Sequence, residues 1–306
     1  MDLKLLQSLQ LFQLFIEQLP QLTINGIALG SIIALGAVGL TLTYGILRLS
    51  NFAHGDYMTF GAFIAWMLNV SKIPVLSNIW VSMPIGIIAT VGIALLAEAV
   101  LWQRMRRVRA TSTTLIIISI GLALFLRNGI LLIWGGEAKR YNLPISEAID
   151  LFGLKIKFYN LVVLGLAIVA IAGLHFLLQN TKIGKAMRAV ADDIDLARVT
   201  GIDVEQVVLW TWIISASLTG LGGQMYGLIT NVRPDMGWFL IMPMFAAVTL
   251  GGIGNPYGAI AGAFIIGIAQ EISVPIVGSQ YKLAVALVLM VLTLLFRPQG
   301  LFKGTA

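Results

Sequence analysis

The chain has 306 residues, of which 58% are hydrophobic and 11% charged; soluble domains hold roughly 45–50% and about 25%. Such a composition, with a mean hydropathy of +0.92, excludes a single water-soluble core and makes the chain a polytopic membrane protein. The net charge of +6 comes without a basic stripe interleaved with aromatics, so it reads as loop charge facing the lipid bilayer and not as a nucleic-acid surface. Zero cysteines exclude disulfides, thiolate catalysis and Fe–S clusters, and two histidines, His54 and His175, are too few for a histidine-rich metal site.

Residues 1–21 come first. Leu5, Leu9, Phe12 and Ile16 recur at helical spacing with Gln7, Gln10, Gln13 and Gln18 between them. That pattern predicts an amphipathic helix on the membrane surface, with a simple extension of the first span as the competing reading, and the single lysine, Glu17 and missing small-residue site argue against a signal peptide. Five long apolar spans follow, at 22–47, 80–102, 113–134, 158–178 and 206–229. Four shorter ones lie at 57–70, 238–250, 258–273 and 281–296. The expected fold is an all-α bundle of eight or nine transmembrane segments, some short or broken, in one transmembrane domain over 1–306. Four of the 34 charged residues fall inside these stretches: Glu98, Arg127, Glu271 and Lys282. Arg104, Arg106, Arg107 and Arg109 fall in one acid-free loop, which places it in the cytoplasm. Alternation then puts 48–56, 179–205, 251–257 and the C-terminus on the same side, and the N-terminus outside.

The first break in helical pattern is Leu49-Ser50-Asn51-Phe52-Ala53-His54-Gly55-Asp56-Tyr57; the last is Gly251-Gly252-Ile253-Gly254-Asn255-Pro256-Tyr257-Gly258. Polar or glycine-rich backbone at membrane depth survives where protein or a wet cavity satisfies it. Asp56-Tyr57 before Gly61-Ala62-Phe63-Ile64 parallels Pro256-Tyr257 before Gly262-Ala263-Phe264-Ile265, which reads as a faint parallel repeat. Short, glycine-interrupted segments at matching places point to a substrate path, with Asn51, His54, Asp56, Tyr57, Gly252, Gly254 and Asn255 as candidates; ordinary tight turns are the competing reading. Gly26/Gly30, Gly223/Gly227 and Gly258/Gly262 are small-xxx-small pairs that let helices approach closely. Glu98 is expected to pair with the arginine cluster. Arg127 needs an internal partner or must snorkel outward. Glu271 and Lys282 are expected to be solvated near the outer face, and His175 to be structural. No line of acidic residues forms an ion relay, which speaks against a proton- or sodium-coupled carrier.

Between the fifth and sixth spans, Met187, Val190, Ile194 and Ala197 follow 3-4-3 spacing after Gly184, which predicts a short amphipathic helix. Gly201 is its expected stop, and Asp203 with Gln206 caps the next span. The apolar face of this helix is expected to meet the membrane surface or another protein. Gly184-Lys185 is followed by Ala186, and residue 179 is Gln, so the phosphate-cradling loop is absent. No Ser/His/Asp or Cys/His set supports catalysis.

The run NGIALGSIIALGAVGLTLTYGILRLSNFAHGDYMTFGAF resembles the opening of LivH-type permeases, membrane subunits of branched-chain amino-acid ABC importers. Thr181 to Ile202 is similar to that family's ATPase-docking loop, and Gly251 to Gly258 and the Phe296-Arg297-Pro298-Gln299-Gly300-Leu301 ending match its pattern. The chain also resembles the cyanobacterial Nat-type neutral amino-acid permeases of this family. The resemblance implies a LivM-type permease partner, two LivG/LivF-type ATPases that bind ATP and Mg, and a periplasmic amino-acid-binding protein. This chain itself would hold no cofactor. The coupling element would comprise Gly184, Met187, Arg188, Ala189, Val190, Ile194, Ala197, Gly201 and Ile202, with Met187, Val190 and Ile194 entering a groove on an ATPase. Urea permeases share the motifs, and a self-sufficient carrier or channel is the alternative from another class.

Overall fold

The structure, a computed structural model, describes residues 3–144, 148–151 and 154–302. In chain order it contains α1 (Leu3–Leu47), α2 (His54–Asn69), α3 (Ile79–Ala97), a π turn (Glu98–Trp102) and α4 (Gln103–Arg107). Then follow α5 (Ser112–Trp134), β1 (Ala148–Leu151), β2 (Leu154–Lys157), α6 (Phe158–Asn180), α7 (Lys182–Asp192) and α8 (Ile194–Val199). The chain closes with α9 (Val204–Ile229), α10 (Met236–Gly251), α11 (Pro256–Ile272), α12 (Val274–Val277) and α13 (Lys282–Phe296). Among the described residues six helical stretches are long and apolar enough to cross a membrane, and α10 and α11 are shorter apolar helices; α2 is a further short helix of 16 residues. The chain is therefore a multi-pass, all-α membrane protein with broken helices, as its composition requires.

Two details differ from the sequence reading. Leu3–Leu47 is one uninterrupted helix with Pro20 inside it, so no break separates a surface segment from the first span. At about 1.5 Å per residue this helix outruns a bilayer core of about 30 Å. The side chains of Leu5, Gln7, Leu9, Gln10 and Phe12 lie outside the described residues. The second difference is an antiparallel hairpin, β1–β2, in register Ala148↔Lys157 to Leu151↔Leu154, in what reads as a loop.

Loop contacts sort the ends of the helices into two groups. Arg48, Arg106, Asp193, Arg198 and Glu205 line one cavity, and Leu301 N donates to Leu250 O across the same end. At the other end Lys139 and Val232 form a β-bridge, Asn142 N donates to Asn69 Oδ1, and Lys155, Thr230 and Lys282 share a cavity with Gln21. The two groups are those that alternation predicts, with the arginine loop and the start of the first span at opposite ends.

α1 is the axis. Its most apolar window is 89% buried, against 11% for α13. It can be wrapped because glycine brings backbones together. A Cβ on Gly26 would stand 2.6 Å from Ile268 Cα, and one on Gly30 3.0 Å from Phe264 Cα. Gly223 meets the backbone of Met58, Gly251 and Gly258 meet each other, and Gly262 meets Ala247 O. All three small-xxx-small pairs thus sit at close contacts. By contrast, Gly165 and Gly173 on α6 have nothing near. Gly26→Ala should therefore destabilise the purified protein by about 1–3 kcal/mol, measured by denaturant titration in detergent, while Gly165→Ala should leave the midpoint unchanged. Equal midpoints for both would remove this account of the α1–α11 crossing.

Candidate functional site

The first polar break lies deep. α1 ends at Leu47 and the chain reverses at Arg48, whose φ is 52°. Residues 48–53 climb back along the bundle, with Phe52 N donating to Ser119 Oγ (3.2 Å) and Ala53 N to Asn51 Oδ1 (3.1 Å). α2 begins at His54, level with Gly36, which helical rise puts about 16 Å above the end of α1. His54 Nε2 lies 2.9 Å from Gly36 O and 2.9 Å from Thr219 Oγ1, while Thr219 Oγ1 donates to Ser215 O (2.6 Å). Because the carbonyl can only accept, the hydrogen-bond pattern assigns Nε2 as the protonated nitrogen. The α2 start also meets the α10 start: Gly55 packs on Gly237, and Gly237 N donates to Thr59 Oγ1 (3.0 Å).

Asp56, in the first turn of α2, is 1% exposed and receives Arg127 from α5 in a two-pronged pair. Arg127 Nε donates to Asp56 Oδ1 (3.2 Å) and Nη2 to Oδ2 (3.3 Å), and its guanidinium lies 4.8 Å from the Trp238 ring centre. The partner Arg127 needs is internal. A carboxylate suits a helix N-terminus, and the arginine matches both of its oxygens. Tyr57 is equally buried, with its phenol beside Asn51 and the indole of Trp102, the last residue of the π turn. Asn51, His54, Asp56 and Tyr57 are thus brought together, and two of them fasten α2 to other helices: His54 to α1 and α9, and Asp56 to α5.

The second break is a tight turn at the cytoplasmic end. Gly252 and Gly254 adopt φ of 107° and 87°, conformations that favour glycine. Asn255 Oδ1 caps α11 by accepting from Tyr257 N and Gly258 N (both 3.1 Å), and Gly254 N donates to Thr41 Oγ1 (2.9 Å). The C-terminal run folds back onto this turn: Asn255 Nδ2 donates to Phe302 O (3.2 Å) and Phe302 N to Gly251 O (3.3 Å). Two sequence patterns far apart in the chain therefore form one structural unit. Of the seven candidate path residues, Gly254 lines a small cavity beside Met187 and Arg188.

Residues 181–203 form two helices, not one. Thr181 caps α7, Asp193 caps α8, Gly201 follows α8 at φ 88°, and Gln206 N donates to Asp203 Oδ1 (3.0 Å). The apolar face of α7 meets the chain's own bundle. Gly184 abuts the backbone of Leu177 and Leu178, and Met187, Val190 and Ala197 are 2–3% exposed. Met187 and Val190, expected to enter a groove on a partner, are instead covered within the chain, where α7 packs on α6, α9 and α1. What faces outward is Ile194 (38%), Leu196 (60%) and Val199 (80%), the last two missed because six residues carry too short a period to register. Ala189 and Ile202 are half-buried, and Ile202 N donates to Ala197 O (3.0 Å).

Arg188 starts a polar relay. Its Nη1 donates to Gln179 Oε1 (2.8 Å), Gln179 Nε2 donates to Tyr257 Oη (3.1 Å), and Tyr257 Oη lies 2.9 Å from His175 Nδ1. These bonds tie α7 to α6 and α11. Beside α8, a cleft of about 550 Å³ is lined by Arg48, Arg106, Arg107 and Arg198 against Asp192, Asp193 and Glu205. Glu98 pairs with Arg106, as expected. Glu271 and Lys282, expected to be solvated, pair with each other at 2.5 Å.

A family model described as branched-chain amino acid transport system / permease component matches residues 22–294. The chain belongs to this family. It is 31% identical to the high-affinity branched-chain amino acid transport system permease protein LivH of Salmonella typhimurium, covering 95% of this chain and 96% of LivH. It is also 28% identical to LivM of Escherichia coli over 51% of this chain and 38% of LivM. The fold resembles PsaBC from Streptococcus pneumoniae, with a TM-score of 0.51 and 14% identity over 94% of this chain and 97% of that one. LivH and LivM are named for branched-chain amino acids, which leaves the urea alternative without support.

Removing one member of a buried ion pair strands the other charge, at a cost of about 3–5 kcal/mol. Asp56→Asn and Arg127→Met should each destabilise the protein by that order, and the double variant should recover much of the loss. A double-mutant cycle on the denaturation midpoint checks this; strictly additive losses would mean the two side chains do not interact.

Proposed function

We propose that this chain is a membrane-spanning subunit of an ATP-driven importer of branched-chain or other neutral amino acids, placed in a bacterial cytoplasmic (inner) membrane. In this reading it pairs with a LivM-type permease, receives solute from a periplasmic binding protein, and is driven by two LivG/LivF-type ATPases that bind ATP and Mg. The chain is a transport subunit without a nucleotide site of its own.

The observation that carries the reading is the two-faced coupling loop. α7 is packed onto the bundle, whereas α8 presents Ile194, Leu196 and Val199 outward beside a charged cleft. An apolar patch rimmed by both signs of charge is the surface expected of a protein contact, not of a lipid anchor. ATPase closure displaces α8; α7 carries the displacement because Gly184 seats it on α6 and Arg188 links it through Gln179 to Tyr257 on α11. A self-sufficient carrier has no use for such a loop. His54 and Asp56 then serve as the joints that keep α2, α5 and α9 moving together with α1.

Val199→Asp and Leu196→Asp should weaken co-purification with the ATPases by about 2 kcal/mol or more, with an unchanged denaturation midpoint of the permease. Ala197 is unsuited to this test, because its burial makes any larger side chain a packing defect. Normal co-purification of both aspartate variants would remove α8 as the docking element. Uptake of leucine by the assembled complex, competed by proline, alanine and excess urea, tests the solute: the reading predicts competition by the amino acids and none by urea.

A further inference from the structure

At the outer end, a cavity of about 390 Å³ opens among α1, β2, α6, α9 and the starts of the last outer connections. Its size is that of a small-molecule site. Three lysines line it, Lys155, Lys157 and Lys282, against one acid, Glu271, which Lys282 already engages at 2.5 Å. Asp150 stands opposite Lys155 on the neighbouring strand. Asp150 offsets Lys155 in part, so Lys157 is the lysine that leaves the β2 side positive. Its opposite wall is amide: Gln21 Nε2 and Asn160 Nδ2 both point at Asn25 Oδ1, each at 3.4 Å, long bonds that an incoming donor can replace. Between them Leu29 and Ile229 supply an apolar wall.

We propose that this cavity is the chain's extracytoplasmic reception site for a zwitterionic aliphatic amino acid, an inference that rests on the importer reading above. The carboxylate faces Lys155 and Lys157, the ammonium group takes Asn25 Oδ1, and the aliphatic side chain lies over Leu29 and Ile229. A free carboxylate and a lipid headgroup phosphate share the chemistry that two lysines recognise, but only the amino acid also uses the amide wall and the apolar strip. The site is bounded by α1, α9 and α11, the same helices that the coupling loop reaches from the opposite end.

The test uses the assembled complex in proteoliposomes, with saturating leucine-loaded binding protein and the paired variant Lys155→Gln/Lys157→Gln beside Asn25→Leu. Charge-assisted contacts of this kind are expected to lower maximal leucine uptake about tenfold, while the affinity for the binding protein and its stimulation of ATP hydrolysis stay unchanged. Both substituted lysines are exposed, so assembly is expected to survive; Asn25→Leu probes the amide wall independently. Undiminished uptake in both variants overturns the site. So does a loss that tracks weaker binding-protein affinity, which makes the lysines a docking patch. A loss confined to vesicles containing anionic lipid also overturns it, because a headgroup then occupies the cavity. Absence of amino-acid uptake by the unsubstituted complex would instead refute the importer reading itself.

Discussion

Inside a bilayer no water is available to satisfy a polar group, so each one must find its partner in the protein. Helices satisfy their own backbones, and lipid offers no hydrophobic drive to hold one helix against another. Close backbone contact must do that work, and in this chain it is made through α1. Gly26 and Gly30 admit α11, Gly36 admits Met244 of α10, and Gly39 admits Ser215 and Thr219 of α9. Once those helices are drawn in, a non-helical stretch at 48–53 can sit at membrane depth. His54 then finds a carbonyl of α1 and a hydroxyl of α9, and Asp56 finds Arg127. The burial of polar chemistry in α2 depends on the glycines of α1.

The same packing gives the cytoplasmic loop its mechanical character. A helix that lay on a partner alone would transmit its motion only through flexible ends. α7 instead shares its apolar stripe with the bundle, and Arg188, Gln179 and Tyr257 add a polar tie to the start of α11. The turn at 252–255 is braced from below by the C-terminal run and from above by Thr41 of α1. A push on α8 therefore reaches α6, α9 and α11 through contacts already in place. The six-residue α8 carries the apolar residues left for a partner.

Much of this was legible in the chain. The clustering of charge outside the apolar stretches places every span but the first to within a few residues; α1 starts well before residue 22. Glycine spacing located the crossings, and Thr181, Asp203 and Asn255 carry out the capping their residue types favour. Legibility failed where the answer depended on a distant partner. Periodicity shows that one face of α7 is covered but not by what, so membrane surface, partner protein and the chain's own bundle all fit the same pattern. Asp56 and Arg127 are 71 residues apart, and nothing local pairs them. Pro20 suggests no boundary because the helix passes through it, and β1–β2 alternates too briefly to register as strands. The candidate path residues stand out by unusual backbone, whereas the polar cavity at the opposite end from the arginine loop is assembled from five separate segments that share no local pattern.

The central claim is that α7 belongs to the bundle and α8 to the partner. Hydrogen exchange on the purified permease, alone and with its ATPases, tests it directly, because amide protection reports which elements are already packed. The account predicts that amides of 184–191 are protected in the permease alone and little changed by the ATPases, whereas those of 195–200 exchange quickly alone and slow on complex formation. Rapid exchange throughout 182–199 in the free permease, with both helices gaining protection together, would contradict it.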